Sequence, residues 1–274
     1  MNILVGADPE LFVKDGEKFI SARGMIEGDK DNPSPVENGA VQVDGMALEF
    51  NINPAKNLEE FEFYLDSVMT QLKALISPQY DVVVAPTAHF DEDYMKKQPM
   101  EALELGCLPD YNAYTGQPNP TPKSNVNFRT GAGHIHIGWT DDVDPMHPEH
   151  FKACRLLTKR LDLVLGVPSL LWDKDKERLS LYGKAGAFRP KPYGCEYRVL
   201  SNMWLTDERL IKYVYKNVIK AFKHLVKSGG NIGQHGYVHT RHCQGVINES
   251  DMETAAAQEY YTNGLAVEEW YVRR

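Results

Sequence analysis

The chain has 274 residues, enough for one large domain or two small ones, and its 42% hydrophobic and 25% charged residues are ordinary for a globular protein. A formal net charge of −8 disfavours a broad nucleic-acid backbone as partner, although it is compatible with a local basic groove. The four cysteines (Cys107, Cys154, Cys195 and Cys243) form no CxxC pair, no apolar run approaches the roughly 20 residues that span a bilayer, and no signal peptide is read ahead of Asp8, so the expectation is a cytoplasmic protein with free thiols and no membrane partner.

Ile3 to Val13 reads as a strand, with Asp15-Gly16 as a hairpin turn into Lys18-Phe19-Ile20. The Gly, Asp, Asn and Pro of residues 24–40 predict a loop. From Val41 to Asn53 the pattern alternates: Leu48, Phe50 and Ile52 share one face and Glu49, Asn51 and Asn53 the other, with Asp44-Gly45 interrupting and Pro54 ending the run. Leu58, Phe61, Leu65, Val68, Leu72 and Leu75 recur at helical spacing over residues 57–77, behind a capping box of Asn57 and Glu60. Asp81 to Ala85 is a short apolar strand, residues 106–128 are a long loop rich in Pro, Asn and Thr, and Gly133 to Trp139 alternates again. A helix is predicted from about Pro148 to Leu165, then two strands around a Pro/Gly bend within residues 178–200. Thr206 is read as the cap of a helix through Lys227, stopped by Gly229-Gly230, and Ser250 with Glu253 as the start of another, to about Asn263. Strands and helices mix without regular β-α alternation, which predicts an α+β fold with a mainly antiparallel sheet and flanking helices. We read residues 1–274 as a single domain, with a core over about 3–230 and a C-terminal extension over 231–274 whose His235, His239 and His242 have an open role, structural or substrate-facing.

Four segments put chemically capable side chains on one face. Asp8 and Glu10 are two apart on a strand, so they point the same way and repel unless cations or protons neutralise them; an exposed strand face is the alternative. Asp44 precedes a strand whose Glu49 and Asn51 lie opposite Leu48, Phe50 and Ile52. His134 and His136 lie opposite Ile135 and Ile137, and imidazole is a ligand for divalent metal and a donor to phosphate, or else a structural group. The segment from Arg178 to Arg198 concentrates Arg178, Lys184, Arg189, Lys191 and Arg198, with Glu196 sharing a strand face with Arg198; Arg forks suit phosphate and carboxylate oxygens. Carboxylates and His for metal, with Arg and Lys for phosphate, are the parts phosphoryl transfer needs. There is no GxxxxGK[ST] loop and no GxGxxG after a strand, so ATP would meet a sheet face through metal.

The segments GADPELF (from Gly6), DGMALEFN (from Asp44), GAGHIHIG (from Gly131) and YGKAGAFRPKPYGCEYR (from Tyr182), in this order, resemble the phage-encoded carboxylate–amine ligases of the glutamine synthetase and glutamate–cysteine ligase superfamily. The match spans about residues 5 to 205. The resemblance implies a curved, mainly antiparallel sheet like the glutamine synthetase catalytic domain, whose concave face holds ATP and Mg²⁺ or Mn²⁺. By motif, Glu10, Glu49 and Asp44 would ligate the metal nearer the substrate, and Asp8, His134 and Glu196 the metal bridging the phosphates. His136 would stand near substrate or ATP, Arg189 and Arg198 would hold the transferred phosphoryl group with Arg178 close by, and Lys184 would bind the nucleotide. The implied reaction joins a small-molecule or peptide carboxylate to an amine through an acyl phosphate, in the host cytoplasm if the chain is phage-encoded. Asp8 stands where the superfamily often has Glu, and the spacing from Asp44 to Glu49 is tighter than in glutamine synthetases. Two other readings keep some of the parts: a metal-dependent hydrolase using His134 and His136, and a guanidino-type phosphotransferase on a related fold.

Overall fold

Alternation builds the sheet. In the computed structural model, which describes residues 3–103, 110–121, 127–227 and 234–263 (apart from side chains at 234–241 and 258–263), the strands are β1 (Leu4–Asp15), β2 (Lys18–Ile20), β3 (Ser34–Val36), β4 (Gly39–Asp44), β5 (Ala47–Ile52), β6 (Asp81–Val83), β7 (Thr87–His89), β8 (Tyr111–Asn112), β9 (Phe128–Thr130), β10 (Gly133–Gly138), β11 (Ala187–Lys191) and β12 (Gly194–Tyr197). The main sheet runs β3-β4-β5-β1-β10-β12-β11-β8, with β2 and β6 also pairing with β1, while β7 and β9 form a separate ribbon. Every pairing between these strands is antiparallel. The helices are α1 (Leu58–Leu75), the short α2 (Glu92–Met95) and α3 (Met100–Leu103), α4 (Pro148–Leu161), the single turns α5 (Val167–Ser169) and α6 (Arg178–Leu181), then α7 (Glu208–Lys227), α8 (Gln234–Glu249) and α9 (Met252–Asn263). The architecture is thus the expected α+β one, a largely antiparallel sheet with flanking helices.

One face of the sheet supplies Val5, Ala7, Leu11, Leu48, Phe50, Ile135, Ile137, Cys195 and Tyr197 to the main core. Phe61, Leu65, Val68 and Leu72 of α1, Leu157 and Leu161 of α4, and Val214, Val218 and Phe222 of α7 pack into the same core. These are the residues the two periodicities single out, since period 2 and period 3.6 each bring one apolar set to one side. Cys243, Val246 and Ile247 of α8 and Ala255 of α9 join them, so this part of the C-terminal extension packs into the core. Cys154, Cys195 and Cys243 are buried free thiols; Cys107 lies outside the described residues, as do the side chains of His235 and His239. No helix among the described residues is long and apolar enough to cross a membrane.

Local chemistry departs from the sequence expectation in six places. The predicted loop over 24–40 contains β3 and the start of β4; Pro35 is accommodated because β3 is an edge strand, where a missing N–H removes no ladder bond that the sheet needs. The predicted loop over 106–128 contains β8, and its residues 106–109 and 122–126 lie outside the described residues. The predicted strand from Arg178 begins instead as the helical turn α6. Thr206 caps nothing: its hydroxyl donates to Met203 O, while the Asp207 carboxylate accepts from Arg209 N at 2.8 Å. Ser250 has φ of 53°, and Asp251 is the cap of α9, accepting from Thr254 N at 3.0 Å. The helix expected through Leu165 is continuous, but it relaxes after Leu161 into a π turn, Asp162–Gly166.

The cap of α1 forms as its sequence dictates. Asn57 Oδ1 accepts from Glu60 N at 2.8 Å, and Glu60 Oε2 accepts from Lys56 N at 2.9 Å. Asn57→Ala should therefore lower unfolding stability by about 1 kcal/mol. An unchanged denaturation midpoint would show that the packed face of α1 alone holds this helix.

Candidate functional site

Gly6, Asp8 and Glu10 of β1 turn away from the main core and line a cavity of about 1140 Å³. Antiparallel register adds the rest of its floor. Asp8 lies opposite His134, Glu10 opposite Glu49, and His136 opposite Glu196, which in turn faces Arg189. Phe12, next on the same face of β1, enters a second apolar cluster with Phe90 and Met95, and Met46 and Ala47 belong both to that cluster and to the cavity wall.

Two glycines of the GAGHIHIG segment are required by close approach. A Cβ on Gly131 would lie 2.3 Å from Ala85 O, and one on Gly133 would lie 2.3 Å from Ser201 O. The chain just after β12 is thereby pressed onto the start of β10, where Gly133 N donates to Leu200 O at 3.0 Å and Trp204 Nε1 donates to Gly133 O at 3.1 Å. Glu10 is fixed in the same place: Ala132 N donates to its Oε2 at 2.8 Å, and Asn202 Nδ2 donates to its carbonyl at 2.7 Å.

Two sets of side chains bring ligand atoms within 4.8 Å of one another: Glu10, Asp44 and Glu49, and Asp8, His136 and Glu196. The first set is the one implied by the resemblance. In the second, His136 stands where His134 was expected, its Nε2 at 2.9 Å from Asp8 Oδ2. His134 is close to the same two carboxylates, with Nδ1 at 3.5 Å from Asp8 Oδ1 and 3.6 Å from Glu196 Oε1. Its Nε2 is buried and has no hydrogen-bond partner among the described residues.

Crowding sets the electrostatics. Burial, with Asp44 and Asp8 adding repulsion, pushes the Glu10 carboxyl up to about 7 from an ordinary 4.5. Burial, with Asp8, Asp44 and Glu10 around it, pushes Glu49 well above the usual carboxylate range. For Asp8 burial acts upward too, but the neighbouring His136 and His134 outweigh it and hold the group well below its ordinary value. Burial and the adjacent Arg198 bring His134 down to about 4, whereas for His136 the pull of Asp8 outweighs burial and moves it up. Tyr193 hydrogen-bonds His136 Nδ1, so that ring is held from both sides.

Glu196 is fully buried and is met by three cations. Arg189 Nη1 is at 3.3 Å from its Oε2, Lys191 Nζ at 3.1 Å from the same atom, and Arg198 Nη1 pairs with Oε1. Arg198 also pairs through Nε with Asp110 at 3.5 Å and lies over the Tyr182 ring at 5.1 Å.

Of the residues expected at a site, Asp8, Glu10, Asp44, Glu49, His134, His136, Arg189 and Arg198 line the cavity, and Glu196 lies buried against them. Arg178 and Lys184 do not line it. Arg178 is buried, and its Nη1 and Nη2 donate to Val199 O and Leu200 O, both at 2.8 Å, so it clamps the segment after Arg198. Lys184 is exposed in the turn before β11. The sequence pointed to Lys191 only as one cation of the basic segment and gave no role to Tyr193, Trp139, Lys30 or Arg129, and all five line the cavity. For Lys191 a signal was present: it lies two residues after Arg189, on the same face of the strand. Arg129 precedes the histidine strand, and only the packing of β9 brings it to the cavity.

The raised Glu10 pKa has a definite sign. The fold favours its neutral form, so the stability it contributes is fully present below about 4.5 and is lost as pH rises to about 7. Glu10→Gln, which stays neutral, should match the parent near pH 4 and become progressively more stable than it up to pH 7 in buffer with chelator. Parallel melting-temperature profiles of the two proteins would contradict this.

No protein-family model matches the chain, and no curated protein matches it.

Proposed function

We propose that this protein is an ATP-dependent carboxylate–amine ligase built on a glutamine synthetase-like catalytic sheet, with Mg²⁺ or Mn²⁺ as its metal. The observation that carries the reading is the meeting, in one cavity, of two carboxylate-rich ligand sets with Arg189, Lys191 and Arg198. A hydrolase built on the histidine pair and nearby carboxylates would have no need of those three cations.

The residues fit divalent metal on two counts. The Glu10, Asp44 and Glu49 set supplies only carboxylate oxygens, the ligands hard cations take. The upward shifts of Glu10 and Glu49 arise from burial and mutual repulsion, which a cation among them would offset. Glu10, Asp44 and Glu49 would hold one ion, and Asp8, His136 and Glu196, with His134 beside them, a second. Bound there, the ions would supply positive charge against the negative charge that develops during phosphoryl transfer.

The protein's own groups then have defined tasks. Arg189, Lys191 and Arg198 grip the γ-phosphate of ATP, the two guanidinium forks fixing its orientation. A carboxylate oxygen of the acid substrate attacks the γ-phosphorus, the bond to the β,γ-bridging oxygen breaks, and ADP leaves. The amine nitrogen attacks the acyl carbon of the resulting acyl phosphate, the C–O bond to phosphate breaks, and the amine's proton departs with the phosphate. Asp8 and Tyr193 hold the His136 ring beside this path, and Arg178 keeps the chain that carries Arg198 against the sheet.

The test is ADP release in Mg²⁺ with a panel of amino acids, peptides and amines. An acid together with an amine should stimulate turnover and give an amide product. In that assay a folded Glu49→Gln protein should be inactive, and Arg198→Lys should lose on the order of a hundredfold in kcat because the fork is gone. Undiminished turnover by Glu49→Gln would sink the metal assignment, and phosphate release from ATP without any amide product would sink the ligase.

A further inference from the structure

Lys191 enters the expectation drawn from the sequence only as one cation of a basic segment suited to phosphate, yet it touches the most deeply buried carboxylate of the site. Its ammonium lies 3.1 Å from Glu196 Oε2, and among the described residues Glu196 is its partner. Glu196 is 0% exposed and belongs to the same ligand set as Asp8 and His136. A carboxylate offers two oxygens, and here Oε1 is taken by Arg198 and Oε2 by Lys191 and Arg189. A divalent cation bound to Glu196 would therefore sit against three like charges.

The three cations differ in how firmly they are held. Arg198 has Asp110 on its Nε and Tyr182 beneath its guanidinium, anchors independent of Glu196. Arg189 is the direct cross-strand partner of Glu196. Lys191 reaches diagonally from its place opposite Gly194, on a flexible stem with a quarter of its side chain exposed (27%), and it lines the cavity. Lys191 is the cation with the freedom to leave, and a phosphate oxygen is a natural second partner for an ammonium.

We infer that Lys191 and a divalent cation are alternative partners of Glu196, and that Lys191, when displaced, takes a phosphate oxygen of the nucleotide. The inference rests on the ligase reading in that metal and nucleotide share this cavity. It has a consequence that reading does not contain: metal and nucleotide bind cooperatively through the protein, beyond their association in solution, because each removes the other's competitor. The coupling is reciprocal by linkage.

The test measures Mn²⁺ binding alone by electron paramagnetic resonance of the free ion, and ATP binding alone by calorimetry in chelator. Thermal melts check that each variant is folded. Lys191→Gln should tighten Mn²⁺ binding about fivefold or more, since an internal competitor is gone. The same variant should weaken metal-free ATP binding about tenfold. Lys191→Arg, which keeps a cation, should stay close to the parent for Mn²⁺. Adding Glu196→Gln to Lys191→Gln should abolish the gain. Unchanged or weaker Mn²⁺ binding by Lys191→Gln overturns the inference while leaving the ligase reading intact. If Glu196→Gln alone binds Mn²⁺ as the parent does, Glu196 is no ligand, and both the inference and the second metal assignment fall.

Discussion

Carboxylates crowded on one face of an otherwise apolar sheet are the constraint around which the rest of this molecule is arranged. Asp8 and Glu10 on β1 and Glu49 on β5 cannot all ionise in a partly desolvated cavity without partners, because charge repels charge more strongly where water is excluded. The protein answers differently in its two halves. Around Asp8 and Glu196 it supplies His134, His136, Arg189, Lys191 and Arg198, and Asp8 stays ionised. Around Glu10 and Glu49 the cationic help is less, and these two carboxyls move upward toward neutrality. That asymmetry leaves one set of carboxylates with little internal counter-charge and the other furnished with it.

The opposite face makes this possible by being largely apolar. Each strand that offers a polar group to the cavity offers a large aliphatic or aromatic one to the core: Leu48 and Phe50 flank Glu49, Ile135 and Ile137 flank His136, and Cys195 and Tyr197 flank Glu196. Burial of these side chains against α1, α4 and α7 holds the strand register, and a slip of one residue would exchange the two faces. The chain from Val199 to Leu205 locks the register further through Gly133 and Asn202.

Behind the sheet, a second polar feature sits away from the cavity. The carboxylate of Asp162, at the start of the π turn, accepts hydrogen bonds from Tyr114 and Tyr197, both at 2.8 Å. Burial still pushes it up to about 7. The turn also receives α8, whose Val246 and Ile247 pack into the core, so the C-terminal extension is joined to the sheet through the same place that departs from regular helix geometry.

The sequence by itself determined which residues could share a face. Period-2 alternation paired Asp8 with Glu10 and His134 with His136, period 3.6 identified α1 and α7, and Asn57 with Glu60 placed the start of α1, because these are consequences of backbone geometry within a few residues. It did not determine who meets whom across the sheet. Arg178 and Lys184 lie in the same basic segment as Arg189, Lys191 and Arg198, yet a helical turn and a tight bend carry them away from the cavity, and Lys191, to which the motifs gave no individual role, remains in it. The choice of His136 over His134 in the ligand set, the crowding that raises Glu10, and the arrival of Arg129 from β9 all depend on register and packing between segments far apart in the chain. Those are set by the burial of the whole apolar face, a property of the assembled sheet that no single segment carries.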